Sequence, residues 1–194
     1  GEVATSEPIV FVNGIPLLAV YRPNADYEVS DLFYQKGGFS SWKFLSRIAG
    51  QPGKSFQEPA LLDLGNKLLC IHRVFDKGLG YSTLYSNFND WEDLTWTNPV
   101  PLWSGVSPNL YRLPDGQIVL SYTHRTSKPY RICARTSRNA GATWGKEIVL
   151  IVTDGSYDMG YPSTVFWDGT LITAYYWQDK VDQVRRIEGT EWQV

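Results

Sequence analysis

The sequence predicts an all-β fold built of four-stranded antiparallel blades, with about four blades in its 194 residues. Three observations carry this. A set of five markers recurs about every fifty residues; the composition is rich in aromatic and turn residues; and each repeat holds a short apolar run bounded by turn signals.

The markers begin with a proline after a polar residue: Glu7-Pro8, Glu58-Pro59, Ser107-Pro108 and Tyr161-Pro162, with the prolines 51, 49 and 54 residues apart. A turn glycine follows each, at Gly14, Gly65, Gly116 and Gly169, two of them in Asp-Gly pairs that signal tight turns. The apolar runs come next: Pro16 to Tyr21, Lys67 to His72, Gln117 to Tyr122 and Thr170 to Tyr176. A near-continuous apolar run between turns suits a strand buried on both faces. Polar or aromatic pairs close the runs at Tyr21-Arg22, His72-Arg73, His124-Arg125 and Tyr176-Trp177, and each repeat ends near a tryptophan, at Trp42, Trp96, Trp144 and Trp192.

Each unit therefore reads as a first strand, a turn, a buried second strand, a loop, a third strand, a turn with Trp, and a fourth strand. That is one blade of a β-propeller, which cannot bury both faces alone and must stack on neighbours. The blades fall at about 7–57, 58–106, 107–160 and 161–194 of a single propeller domain or fragment. The last stops two residues after Trp192, so its fourth strand is expected to be missing. Two architectures remain open: a small four-bladed ring with an incomplete seam, or a run of blades from a larger ring. Open blade edges and faces make self-association a further expectation.

Aromatic residues make up 14% of the chain, with eight Trp and twelve Tyr beside 17 Gly and 11 Pro. This mix favours short strands over helical bundles. A net charge of −2 with scattered basic residues gives no electrostatic case for nucleic acid. Cys70 and Cys133 sit in apolar runs and read as buried reduced thiols. With two His and no ligand spacing, no metal site is expected, and no cofactor either. No apolar run approaches the roughly 20 residues of a membrane-spanning helix.

Ser137-Arg-Asn-Ala-Gly-Ala-Thr-Trp144 resembles the Asp-box, Ser-x-Asp-x-Gly-x-Thr-Trp, with Asn139 for Asp. Degenerate copies stand at Gly37-Gly-Phe-Ser-Ser-Trp42 and Asp93-Leu-Thr-Trp96. The segment from Glu58 to Arg73 resembles the sialidase blade that carries a catalytic Glu and, about 15 residues on, an Arg of the arginine triad. Pro129 to Ser137 resembles the strand leading into an Asp-box in bacterial sialidase-like proteins. Asp158 to Tyr176 resembles the blade presenting the nucleophilic Tyr. The resemblance to the sialidase (neuraminidase) superfamily covers essentially the whole chain. In family members these blades form the second half of a six-bladed ring.

The resemblance implies a glycoside hydrolase acting on terminal sialic acid-type sugars, or part of one. It also implies a carbohydrate ligand and slightly favours a secreted or periplasmic setting. A substrate carboxylate calls for arginines, whose planar fork matches it. The nucleophile must be neutral, which a tyrosine satisfies if a carboxylate takes its proton. Carried over, Tyr161 is the nucleophile, Glu58 its base and Arg73 one clamp. Arg131 is the choice for a second clamp, with Arg125 and Arg135 as rivals. Asp158 reads as a turn residue. The family's first clamp Arg and its Asp acid/base have no match here. That departure favours the competing expectation, a non-catalytic propeller that binds carbohydrate or protein.

Overall fold

The computed structural model describes residues 2–35, 41–90, 94–178 and 184–194, with only the backbone of Asp90. The chain forms two compact units, Gly1–Trp103 and Ser104–Val194. The described residues form strands and turns without an α-helix, as four antiparallel sheets.

In the first unit, blade 1 runs β1 (Val10–Val12), β2 (Ile15–Asn24), β3 (Tyr27–Tyr34) and β4 (Lys43–Ala49). Blade 2 runs β5 (Lys54–Asp63), β6 (Lys67–Asp76), β7 (Tyr81–Asp90) and β8 (Val100–Ser104). In the second unit, blade 3 comprises β9 (Val106–Arg112), β10 (Ile118–His124), β11 (Tyr130–Ser137) and β12 (Ile148–Thr153). Blade 4 has three strands among the described residues: β13 (Gly160–Trp167), β14 (Thr170–Gln178) and β15 (Arg185–Trp192). Each sheet is a simple meander, the repeating unit of a β-propeller.

The second strand of each blade is the apolar run seen in sequence. In β6, Leu68, Leu69, Cys70 and Ile71 are all fully buried, because both faces are covered. In the first unit, Val12, Leu17, Ala19, Leu32 and Ile48 of blade 1 pack on Leu61, Leu68 and Cys70 of blade 2. In the second, Val119 and Ala134 of blade 3 pack on Leu171 of blade 4, and Ile132 packs on Met159 and Tyr175. Truncating such a side chain to Ala costs about 2–5 kcal/mol.

Polar pins cross between blades within each unit. Ser30 of blade 1 bonds His72 Nδ1 at 3.1 Å, and His72 Nε2 lies 2.9 Å from Asn87 Oδ1. Asn87 donates its amide to the Ile48 carbonyl, so its oxygen faces His72. His72 therefore donates from Nε2 and accepts the Ser30 hydroxyl at Nδ1. Burial pulls its pKa down from 6.5 to about 4, which keeps the ring neutral. In the second unit a buried set of hydroxyls plays the same part. Ser121 and Thr164 lie 2.9 Å apart, Thr164 and Thr173 2.9 Å apart, and Trp192 donates to Thr173.

The proline markers are the most informative local feature. In blades 2 to 4 the inner strand carries two residues opposite one of the second strand: Glu58-Pro59 against His72, Ser107-Pro108 against Tyr122, and Tyr161-Pro162 against Tyr175. These are β-bulges, which bend a strand and re-aim a side chain. The residue before each proline has positive φ: 47° at Glu58, 51° at Ser107 and 48° at Tyr161. The position before proline disfavours helical backbone, and a non-glycine residue in the left-handed region costs about 1–3 kcal/mol. Three equivalent sites hold this strained conformation. In blade 1, Glu7-Pro8 lies in the stretch 5–9 between the Ala4↔Tyr21 bridge and the Val10↔Leu17 pair.

Candidate functional site

Each bulge sets its first residue against the next-but-one residue of the second strand. The registers Gln57↔Arg73, Val106↔Thr123 and Gly160↔Tyr176 make Arg73, Thr123 and Tyr176 equivalent. One backbone device therefore presents three chemistries: Glu58 with Arg73, Ser107 with Thr123, and Tyr161 with Tyr176.

In the first unit Glu58 is 2% exposed, and Arg73 Nη1 donates to its Oε1 at 3.1 Å. Arg73 also donates from Nε to Ser82 Oγ. Tyr21 of blade 1 lies beside this pair. Its pKa is raised by burial first, then by Glu58 and Glu28, while Arg73 pulls the other way. Gln57 donates to Glu28. A cleft of about 340 Å³, lined by Glu2, Ala4, Tyr21, Arg22 and Glu28 among others, opens at this end of blade 1. Deeper in the blade, Arg22 and Arg47 both donate to the buried Asp31.

In the second unit Tyr161 is 46% exposed, and its ring is stacked on Tyr176 with centroids 6.2 Å apart and planes 23° apart. Tyr176 donates its hydroxyl to Asp158 Oδ1 at 2.9 Å. Arg185 grips the other carboxylate oxygen, with Nε at 2.7 Å and Nη2 at 2.6 Å. Burial and then Asp158 raise the Tyr176 pKa, against the pull of nearby Arg125. Arg125 itself donates to the Met159 carbonyl at 3.1 Å. A Cβ on Gly160 would stand 3.3 Å from Thr123 Oγ1, so glycine permits this close packing at the bulge.

Of the residues expected from sequence, Glu58 and Arg73 meet directly in the first unit. Tyr161, Arg125 and Arg131 belong to the second. Arg125 reaches the Tyr161–Tyr176 bulge. Arg131 instead belongs to a cluster on blade 3, where its Nε donates to Glu147 Oε1 at 2.9 Å. Tyr122 donates to Glu147 Oε2 at 2.6 Å, and Arg135 donates to Tyr122 and to the Gly145 carbonyl. Burial pushes the Glu147 carboxyl up, but the bonds from Tyr122 and Arg131 outweigh it and hold it below its usual range. Burial drives Tyr122 well above the ordinary phenol and pushes Cys133 up to about 12. Tyr122 and Cys133 are fully buried, so the cluster reads as a packed polar network. Both cysteines are free and buried.

Tyr176, Asp158 and Arg185 are the residues sequence reasoning passed over. The signal was present: Tyr161 and Tyr176 are 15 residues apart, as are Glu58 and Arg73. The turn 137–144 closes through its own side chains. Asn139 Oδ1 accepts from the Ser137 hydroxyl at 3.0 Å and the Thr143 amide at 2.9 Å, and the Gly141 amide donates to Ser137 Oγ at 2.9 Å. Residues 37–40 and Asp93 of the two degenerate copies lie outside the described residues. A larger cleft of about 430 Å³ sits at the opposite ends of the inner strands in the second unit, lined by Leu113, Pro114, Phe166, Gly169 and Val194 among others. None of the expected site residues lines it.

No protein-family model matches the chain, and no curated protein matches it. Solved structures do. A protein of unknown function from Dyadobacter fermentans superposes with a TM-score of 0.87 at 24% identity, over 99% of this chain and 54% of its own. An arabinanase of Bacillus subtilis gives 0.72 at 11% identity, over 100% of this chain and 73% of its own. A Trypanosoma rangeli sialidase in complex with sialic acid gives 0.70 at 14% identity, over 96% of this chain and 35% of its own. The chain thus spans about half the length of the first of these. At such identities the likeness establishes the β-propeller fold, and function has to be argued from the site.

Proposed function

We propose that this chain is a carbohydrate-active propeller of the glycoside-hydrolase kind, or the part of one that carries the bulge ends of these blades. The observation that carries the reading is the repeated strained bulge. It holds Glu58 against Arg73 in one unit and Tyr161 on Tyr176 in the other, each at positive φ. Backbone strain repeated at equivalent positions with different side chains is a mark of a functional rim. Structural neighbours that are an arabinanase, a xylosidase and a sialidase lend support from fold-level analogy.

In its finer form the proposal is a sialidase-type exo-glycosidase. The Tyr161 phenol of the second unit would take the nucleophile's role, with Arg125 beside Tyr176 as a clamp for the substrate carboxylate, and Glu58 and Arg73 of the first unit keep the base and clamp roles that the resemblance implies. Arg125 replaces Arg131 as second clamp because Arg131 is engaged with Glu147, whereas Arg125 lies beside Tyr176. Hydrolysis of a fluorogenic α-sialoside, with an α-arabinofuranoside and a β-xyloside in parallel, tests this. Turnover of the sialoside alone, lost in Tyr161→Phe, supports it. Turnover of only a neutral glycoside sinks the sialic acid form.

The second reading is a sugar-binding propeller without turnover. It is favoured by the half-exposed Tyr161 ring, stacked on Tyr176 at the bulge. It predicts saccharide binding with no released product.

A further inference from the structure

Blades pack in one sense within each unit. Leu17, Ala19 and Ile48 of blade 1 lie against Leu61, Leu68 and Cys70 of blade 2, and Val119 and Ala134 of blade 3 lie against Leu171 of blade 4. A blade's front is the side it turns to the blade that follows, and its back is the side it turns to the blade before. In both units a front is buried on a back. The back of blade 1 and the front of blade 4 take no part in these contacts.

Paired residues of antiparallel strands share a face, and successive residues alternate. With Leu17 and Ala19 on the front of blade 1, its back carries Phe11, Leu18, Phe33 and Phe44, joined by the pairs Leu18↔Phe33 and Phe33↔Phe44. Phe11 is 65% exposed and Phe44 54%, and Phe33 meets Phe44 edge to face. Arg22 and Arg47 share this side and both close on Asp31, so two guanidiniums meet one carboxylate. With Leu171 and Tyr175 on the back of blade 4, its front carries Val165, Trp167, Ile172 and Ile187. Val165, Trp167 and Ile187 are exposed, and so is Glu191, which pairs with Ile172 on the same side. Apolar sheet faces as open as these mark sites of protein association.

We propose that the back of blade 1 of one copy docks on the front of blade 4 of a second copy of this chain. The contact repeats the front-on-back packing that both units already use, with the exposed phenylalanines of one copy set on Trp167 and Ile187 of the other. Charge favours this pairing over its two rivals. A front on a front sets Glu191 against its own counterpart, and a back on a back sets the two arginines of Asp31 against theirs. A head-to-tail contact uses two different faces, so each copy keeps one of them for a further copy, and assembly proceeds until a ring closes. The proposal is independent of sugar binding and of hydrolysis.

Light scattering and sedimentation velocity of the 194-residue chain over a rising concentration series test it. The mass of the parent rises above the 22.0 kDa of one chain. Trp167→Glu on blade 4 and Phe44→Glu on blade 1, each first checked for an unchanged melting transition, weaken self-association roughly tenfold or more, the range of a lost aromatic anchor. Phe11→Glu serves the same face should Phe44→Glu not fold. Mixing the two variants decides the pairing. Each keeps the face that the other has lost, so the mixture forms a species with one copy of each variant and grows no further. A parent that stays at 22.0 kDa at every concentration overturns the proposal. So does either variant associating with itself as the parent does, or a mixture no heavier than its parts.

Discussion

The bulges of blades 2 and 4 share a backbone and differ in almost everything else. Both place a non-glycine residue at positive φ before a proline, opposite a buried ring. In blade 2 the presented group is a buried carboxylate neutralised by Arg73; in blade 4 it is a half-exposed ring backed by a second ring. Bulge geometry is therefore scaffold, and the residue seated on it sets the chemistry. The same strain carries a buried, paired charge in one place and a half-exposed ring in the other.

Removing one partner of the blade 2 pair should have the largest effect. Arg73→Ala removes the guanidinium from the buried Glu58 carboxylate and should cost about 3 kcal/mol of stability. Combining it with Glu58→Gln should recover much of that loss. Chemical denaturation of the three variants checks this, and an additive double variant would mean that the two residues do not act as a pair. In blade 4, Arg185→Ala breaks an ion pair whose Arg side chain is 68% exposed, so stability should fall by less than about 1 kcal/mol.

His72, opposite the blade 2 bulge, gives that half of the comparison a pH signature. Its folded pKa of about 4 lies below the usual 6.5, so the unfolded chain binds the proton more readily. Its contribution to stability is intact above pH 6.5, falls as pH drops towards 4, and levels off below. The full span is about 3 kcal/mol. Tyr175 occupies the matching place in blade 4. Unfolding free energies between pH 7 and 4 should therefore lose this slope in His72→Gln, allowing for a lower baseline. An unchanged slope assigns it to other groups.

The blade 3 bulge is the control, since Ser107 shares the strain without an ion pair or an exposed ring. Ser107→Gly should relieve positive φ and shift stability by only about 1 kcal/mol, upwards if strain outweighs the lost serine contacts. Thermal denaturation reads the sign, and a large loss would show that the hydroxyl, not the backbone, sets this site. The smallest effect concerns the open face of blade 4. Trp167 and Ile187 there are 73% and 78% exposed, so Trp167→Glu should change stability by no more than about 0.5 kcal/mol. If copies associate through this face, light scattering of the variant will show the mass fall.

The blade repeat was legible because prolines, turn glycines and apolar runs are local signals. The strain was not, since nothing in Glu58-Pro59 or Tyr161-Pro162 announces a bulge with positive φ. The sequence aligned His124-Arg125 with His72-Arg73, but the registers make Tyr122-Thr123 the true counterpart. Glu58 and Arg73 were singled out by the resemblance, while the Arg131–Glu147 contact was not legible, because it depends on a turn that folds Glu147 back on β11. Asp158 was read as a turn residue, and its bonds to Tyr176 and Arg185 emerge only when β14 and β15 bring those residues alongside.

Hydrolysis of a fluorogenic α-sialoside by the parent, by Tyr161→Phe and by Glu58→Gln tests the central claim most directly. The account predicts turnover in the parent that falls roughly a thousandfold or more in Tyr161→Phe and by about a hundredfold or more in Glu58→Gln. Full turnover in Tyr161→Phe, or a parent that neither cleaves glycosides nor binds any sugar, would contradict it.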